Sequence, residues 1–289
     1  MFFFAISILM YLLQNYSNKQ FTSIIQCSSS GITIIQNGIC VLCSAVTLLI
    51  ISGIKIMTIN LMILAVLFGC FYLLTVFLLL KAFALGSMGS STLLCNVGMF
   101  ISAFYGILRF GDIFTVNIAL GMVLLLIAVI LCTPTDNDKK TGGLKWFLIA
   151  LSSGISNGVV ASIKREAVSL CPDDVQNFLL WGFLFAAIAA FIVLNLLRSA
   201  RTDAAIVAKQ PGLMLFGILA GIGTAGANFF QMAALKTISS AVVYPLTSGI
   251  LVVSCWLASY LIYKETTFKM KNVFAIIFCI VAIITVNIK

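Results

Sequence analysis

Long apolar runs, each close to the length of a bilayer crossing, follow one another along this chain with short polar breaks between them. Ten are placed, at 2–17, 32–53, 58–85, 90–108, 114–132, 144–163, 176–197, 212–235, 240–262 and 272–288. A spanning helix needs about 20 apolar residues. Hydrocarbon offers no water to open backbone groups, so such runs predict helices. The period-two alternation of a transmembrane barrel strand is missing. The most polar break, TPTDNDKKTGG at 133–143, lies near the midpoint and reads as a loop between two halves, 1–133 and 144–289. The opening stretch MFFFAISILMYLL has no basic residues ahead of its apolar run and no small-residue cleavage pattern after it. It reads as a first span rather than a cleaved signal.

Composition strengthens the pattern. The 289 residues are 62% hydrophobic and 9% charged, with a mean hydropathy of +1.19; soluble domains run at about 45–50% apolar and about 25% charged. So few charges cannot clothe a water-soluble particle of this size, and the spans leave no room for a soluble domain. The net charge of +9 comes from bases that sit singly between apolar runs. That is the habit of membrane-flanking anchors, and it argues against nucleic acid.

Nine Cys and no His are present. Cys40, Cys70, Cys95, Cys255 and Cys279 fall in apolar runs and read as small hydrophobes. Cys40 and Cys43 form one C-x-x-C, with no second pair or His to complete a metal set. Neither a metal nor a cofactor is expected. Without His or an in-span acid there is little from which to build a membrane enzyme. No G-x-x-x-x-G-K-[ST] loop occurs, so ATP-driven transport by this chain alone is not expected.

The halves resemble each other. KAFALGSMGSSTLL (81–94) aligns without gaps on QMAALKTISSAVVY (231–244), matching Ala84 to Ala234, Leu85 to Leu235 and Ser90 to Ser240. Each copy leads through a long apolar helix to one acid, Asp112 or Glu265, and then a last helix. Five spans per half is an odd number, so the copies insert in opposite senses as an inverted repeat.

On these residues the chain resembles the EamA-like branch of the drug/metabolite transporter (DMT) superfamily. The resemblance is carried by KAFALGSMGSSTLLCNVGMFISAFYGILRFGD (81–112) and MAALKTISSAVVYPLTSGILVVSCWLASYLIYKET (232–266). It implies an all-α integral membrane protein with ten transmembrane helices, as two inverted five-helix bundles around a central cavity. It also implies exchange or export of amino acids, nucleosides, sugars or drug-like solutes. Two positions depart from the pattern: Cys95 stands where the second copy has Pro245, and the first acidic turn holds Asp112 rather than Glu. The expected function is a secondary transporter, or permease, of a small organic metabolite in a cell membrane, working by alternating access. The alternative is a non-transporting scaffold or a subunit that needs a partner. Expected partners are the lipid bilayer and a small-molecule substrate. Proton or ion coupling, and a monomer against a homodimer, stay open.

All eight acids (Asp112, Asp136, Asp138, Glu166, Asp173, Asp174, Asp203 and Glu265) fall at span ends or in links. Cation antiport driven by protons usually needs an embedded carboxylate, so neutral or zwitterionic solutes and weak or absent coupling are expected. Substrate-binding candidates are Lys81, Asn96, Asn157, Asn228, Gln231, Tyr244, Tyr72 and Trp181. Lys81 either snorkels to the interface or lines a cavity and attracts a carboxylate or phosphate. The amides either pair helices or contact substrate, since an unpaired amide facing lipid is costly. Tyr244 precedes Pro245, the only Pro within a predicted span, and Pro245 is the candidate hinge because it frees a carbonyl and kinks its helix. The glycines at 217 and 221 read as a close helix contact. Basic residues counted by side favour both ends of the chain outside, whereas the resemblance implies both in the cytoplasm.

Overall fold

The structure, a computed structural model, describes residues 2–25, 30–112, 115–132, 143–197, 200–264 and 270–287. Nearly all of the described residues are helical and none is in a strand. The helices are α1 (Phe2–Ile24), α2 (Ser30–Ser52), α3 (Ile59–Leu85), α4 (Met88–Cys95), α5 (Gly98–Phe110) and α6 (Val116–Cys132). They continue as α7 (Gly143–Leu170), α8 (Val175–Leu196), α9 (Ala200–Ala208), α10 (Pro211–Leu235), α11 (Ser240–Leu261) and α12 (Met270–Asn287). Seven helical segments are long and apolar enough to cross a membrane: Ser30–Ser52, Ile59–Leu85, Met88–Phe110, Gly143–Leu170, Pro172–Leu196, Pro211–Leu235 and Ser240–Leu261. Large apolar side chains such as Ile50, Leu108, Phe191 and Leu196 are exposed, as contact with hydrocarbon requires.

The packing alternates between early and late helices. α1 lies along α10 and α3 along α7, while α2 packs on α8 and α10. α6 packs on α12, and α11 packs on α4, α5 and α12. Close approach is achieved with glycine where α5 crosses α7. A Cβ at Gly98 would run into the backbone of Gly154 and Gly158, so no larger residue fits that seam.

Four features differ from the sequence expectation. α1 continues to Ile24 through the polar stretch QNYSNKQ. Gln14, Asn15, Ser17, Asn18 and Lys19 are buried there, so protein rather than lipid surrounds this part of the helix. α7 likewise runs to Leu170 and carries Lys164, Arg165 and Glu166 inside the helix rather than in a link. The fourth apolar run is interrupted at Asn96–Val97, between α4 and α5. The segment read as a link between the seventh and eighth runs contains the short helix α9. The midpoint loop up to residue 142, with Asp136 and Asp138, and the second acidic turn at Glu265 lie outside the described residues.

Candidate functional site

The helical repeat brings polar groups to one central cavity. Along α3 the lining residues are Tyr72, Thr75, Val76 and Leu79; along α7, Asn157, Val160, Ala161 and Lys164; along α11, Tyr244, Thr247, Ser248 and Leu251. Each set follows the i, i+3, i+4, i+7 spacing that places residues on one helical face. Tyr11, Gln14 and Asn15 of α1 and Asn228 and Gln231 of α10 complete the wall, with Thr92, Cys95, Asn96, Gly98 and Ser102 from the α4–α5 break. The space, its opening included, is about 780 Å³.

Six of the eight candidates from sequence meet there: Tyr72, Asn96, Asn157, Asn228, Gln231 and Tyr244. Two do not. Lys81 is two residues beyond Leu79 on α3, which rotates it about 200° away from the lining face. Its ammonium lies over the Phe77 ring at 6.0 Å. Trp181 is on α8, which adds no residue to the wall; its indole N–H donates to the Lys55 carbonyl at 3.0 Å. Pro245 is buried in α11 directly after Tyr244. It removes the hydrogen bond that the Ala241 carbonyl would otherwise accept. The equivalent position of the first copy, Cys95, falls at the α4–α5 break. Both copies therefore interrupt their helix at the same place, one with a proline and one with a turn.

The residue that sequence reasoning missed is Lys164. Counted among link residues there, it is 4% exposed and is the only charged side chain among the described lining residues. Its ammonium donates to the Tyr11 hydroxyl at 3.3 Å, to Asn228 Oδ1 at 3.1 Å and to Gln231 Oε1. Gln231 Oε1 also accepts from the Tyr11 hydroxyl at 2.8 Å. The Lys164 ammonium stands 5.9 Å from the centre of the Tyr244 ring. The three N–H donors of the ammonium thus have three neutral acceptors, and no carboxylate among the described residues bonds to them. A signal was present: Lys164 is seven residues after Asn157, on the same face of one helix.

Other lining groups fix the wall. The Tyr72 hydroxyl accepts from Gln14 Nε2 at 2.9 Å and donates to Thr224 Oγ1 at 3.3 Å. The Tyr244 hydroxyl donates to the Ala161 carbonyl at 2.7 Å, and Asn96 Nδ2 to the Thr92 carbonyl at 2.7 Å. By contrast, the side-chain amides of Asn15 and Asn157 make no hydrogen bond among the described residues while lining the space.

Next to Lys164 in the chain, Arg165 belongs to a cluster that joins three helices. Gly111, in the left-handed region at φ 64°, ends α5 and turns the chain into Asp112. Asp112 Oδ1 accepts from Arg165 Nη2 at 3.2 Å. Its Oδ2 accepts from the Ser240 backbone N–H at 3.1 Å and from the Ser240 hydroxyl. Arg165 Nη1 also donates to the Leu235 carbonyl at 3.1 Å. A single carboxylate thereby ties the end of α5 to α7 and to the start of α11. At the opposite end of α7, the Trp146 indole N–H donates to Ser91 Oγ at 2.9 Å, and that hydroxyl donates to the Ala82 carbonyl at 3.2 Å.

No protein-family model matches the chain, and no curated protein matches it. Solved structures do. One, described only as a crystal structure of a protein, superposes with a TM-score of 0.65 at 13% identity, covering 99% of this chain and 97% of that one. The likeness is one of fold over almost the whole of both chains.

Proposed function

We propose that the chain is a secondary transporter of a small organic solute in a cell membrane, of the EamA-like kind, and not an enzyme. The observation that carries the reading is the polar cavity, walled by helices from both ends of the sequence and lined by two amides, Asn15 and Asn157, with no hydrogen-bond partner among the described residues. Amides that face a cavity without protein partners keep their hydrogen-bonding groups available to whatever enters it. A polar solute can bond to them, whereas a scaffold has no use for them.

The packing supports ten spans in two inverted repeats, α1–α6 and α7–α12, with α9 as an insertion. Exchanging α1 for α7, α2 for α8, α3 for α10, α4 and α5 for α11, and α6 for α12 turns the α1–α10 contact into α7–α3. The same exchange turns α2–α10 into α8–α3 and leaves α2–α8 and α6–α12 as contacts between mates. Two such repeats around one site permit rocking that opens it to each side in turn. The cluster of Asp112, Arg165 and Ser240 ties α5, α7 and α11 together.

Liposomes containing the purified chain and preloaded with a mixture of water-soluble metabolites test the reading. Selected members leave faster than from protein-free liposomes. Equal loss of every solute removes the transport reading and favours a scaffold or a partner-dependent subunit.

A further inference from the structure

Among the described residues, the cavity is lined by one cation and by no anion. An ammonium moved out of water keeps its charge only where charge or dipoles replace the lost hydration. Around Lys164 the replacements are one phenol and two amide oxygens, from Tyr11, Asn228 and Gln231. Each is neutral, and all three residues are also donors: Tyr11 through its O–H, Gln231 through its Nε2, and Asn228 through its Nδ2, which already donates to the Thr224 carbonyl. If an oxyanion takes the place of the Gln231 oxygen at the ammonium, the amide and the phenol hydroxyl turn from neighbours of the cation into further donors to that anion. The neutral oxygens around Lys164 therefore stand in for a negative charge, and they belong to groups that serve equally well as its ligands.

Resting on the transport reading above, we infer that the solute is a small monocarboxylate and that Lys164 is the residue that selects it. The number of charges decides between anions. A phosphate monoester carries about −1.5 to −2 at neutral pH, and Lys164 is the only charged residue among the described lining residues; a carboxylate carries one charge and is matched. A cation or a zwitterion needs an acidic group for its ammonium, and no Asp or Glu is among the described lining residues. The rest of the molecule is neutral and polar, and it meets Asn15, Asn157, Thr247 and Ser248. Arg165 cannot supply the same function from the next position, because its guanidinium already holds Asp112 at 3.2 Å.

The test uses proteoliposomes of the full chain and an equimolar external mixture of lactate, gluconate, benzoate, lactamide, glucose, benzamide, choline and glycerol 3-phosphate, with uptake of each read by mass spectrometry. The wild type accumulates at least one of the carboxylates and not its uncharged counterpart. Lys164→Gln lowers that uptake at least tenfold, and Lys164→Arg retains part of it. The melting temperature of Lys164→Gln in detergent is at or above that of the wild type, which separates lost recognition from lost folding. Accumulation of the neutral solutes, choline or the phosphate ester in place of carboxylates overturns the inference and leaves transport standing. So does carboxylate uptake unchanged in Lys164→Gln. If the wild type carries none of the eight, the inference falls together with the transport reading.

Discussion

Lys164 and Arg165 are neighbours in sequence and opposites in setting. One helical step of about 100° separates a cation that meets only amides and a phenol from one that meets a carboxylate. Arg165 and Asp112, with side chains 17% and 7% exposed, form a bidentate-capable donor facing a carboxylate that is also capped by Ser240. Every charge there has its counter-charge, and the cluster joins three helices. At Lys164 the counter-charge is missing, and the space beside it is open to a solute. The pair teaches that a buried charge is structural where its partner is built in, and that the proposed recognition falls where no carboxylate among the described residues faces the cation.

That contrast yields graded expectations. The largest effect belongs to Asp112→Ala, which strands Arg165 and removes the acceptor of the Ser240 N–H. Breaking a buried ion pair costs about 3–5 kcal/mol, and partial exposure here places the loss near the lower figure, read from chemical denaturation in detergent. Adding Arg165→Met to it recovers much of the loss; if the double variant is no more stable than the single, the pair is not the unit described. At Lys164 the sign reverses. Lys164→Met stabilises the unliganded protein by about 1 kcal/mol, since replacing a buried charge with an apolar group of similar size is often favourable. A lower stability instead would mean that the ammonium has a partner not accounted for.

Smaller effects sharpen the same line. Tyr11→Phe removes a hydroxyl shared by Lys164 and Gln231 and costs about 1 kcal/mol, with a larger proportional loss in uptake than in stability. Lys55→Ala breaks the exposed pair with Asp174, whose side chains are 64% and 36% exposed, and changes stability by less than about 1 kcal/mol. Lys81→Ala leaves solute uptake at equal expression unchanged, because the side chain points away from the cavity; a loss of uptake would return Lys81 to the site.

Much of this was written in the pattern of residues. An amide or a tyrosine in the middle of an apolar run has no tolerable place facing lipid, so Asn96, Asn157, Asn228, Gln231, Tyr72 and Tyr244 declared themselves by their surroundings. Lys164 did not, because it stands beside Arg165 and Glu166, and three charges together imitate the end of a span. Helix α7 continues past them since protein, not water, receives the charges. For the same reason Asn18 and Lys19, buried in α1, fell outside the first run at 2–17. Hydropathy measures affinity for lipid and is silent about a helix lined by other helices. Lys81 misled in the other direction: its position in the chain was favourable, but its phase on the helix was wrong.

The interruptions at Asn96–Val97 and at Pro245 give the cavity wall a mechanical character. A regular helix spreads a bend over many equivalent rungs, so it resists at every point. One with a rung missing concentrates the bend there, as a notch does in a rod. The two notches fall at matching positions of the two copies, next to the lining residues Asn96 and Tyr244. Flexure of either half is thereby delivered at the depth of the cavity, where a small rotation changes which groups face a bound solute.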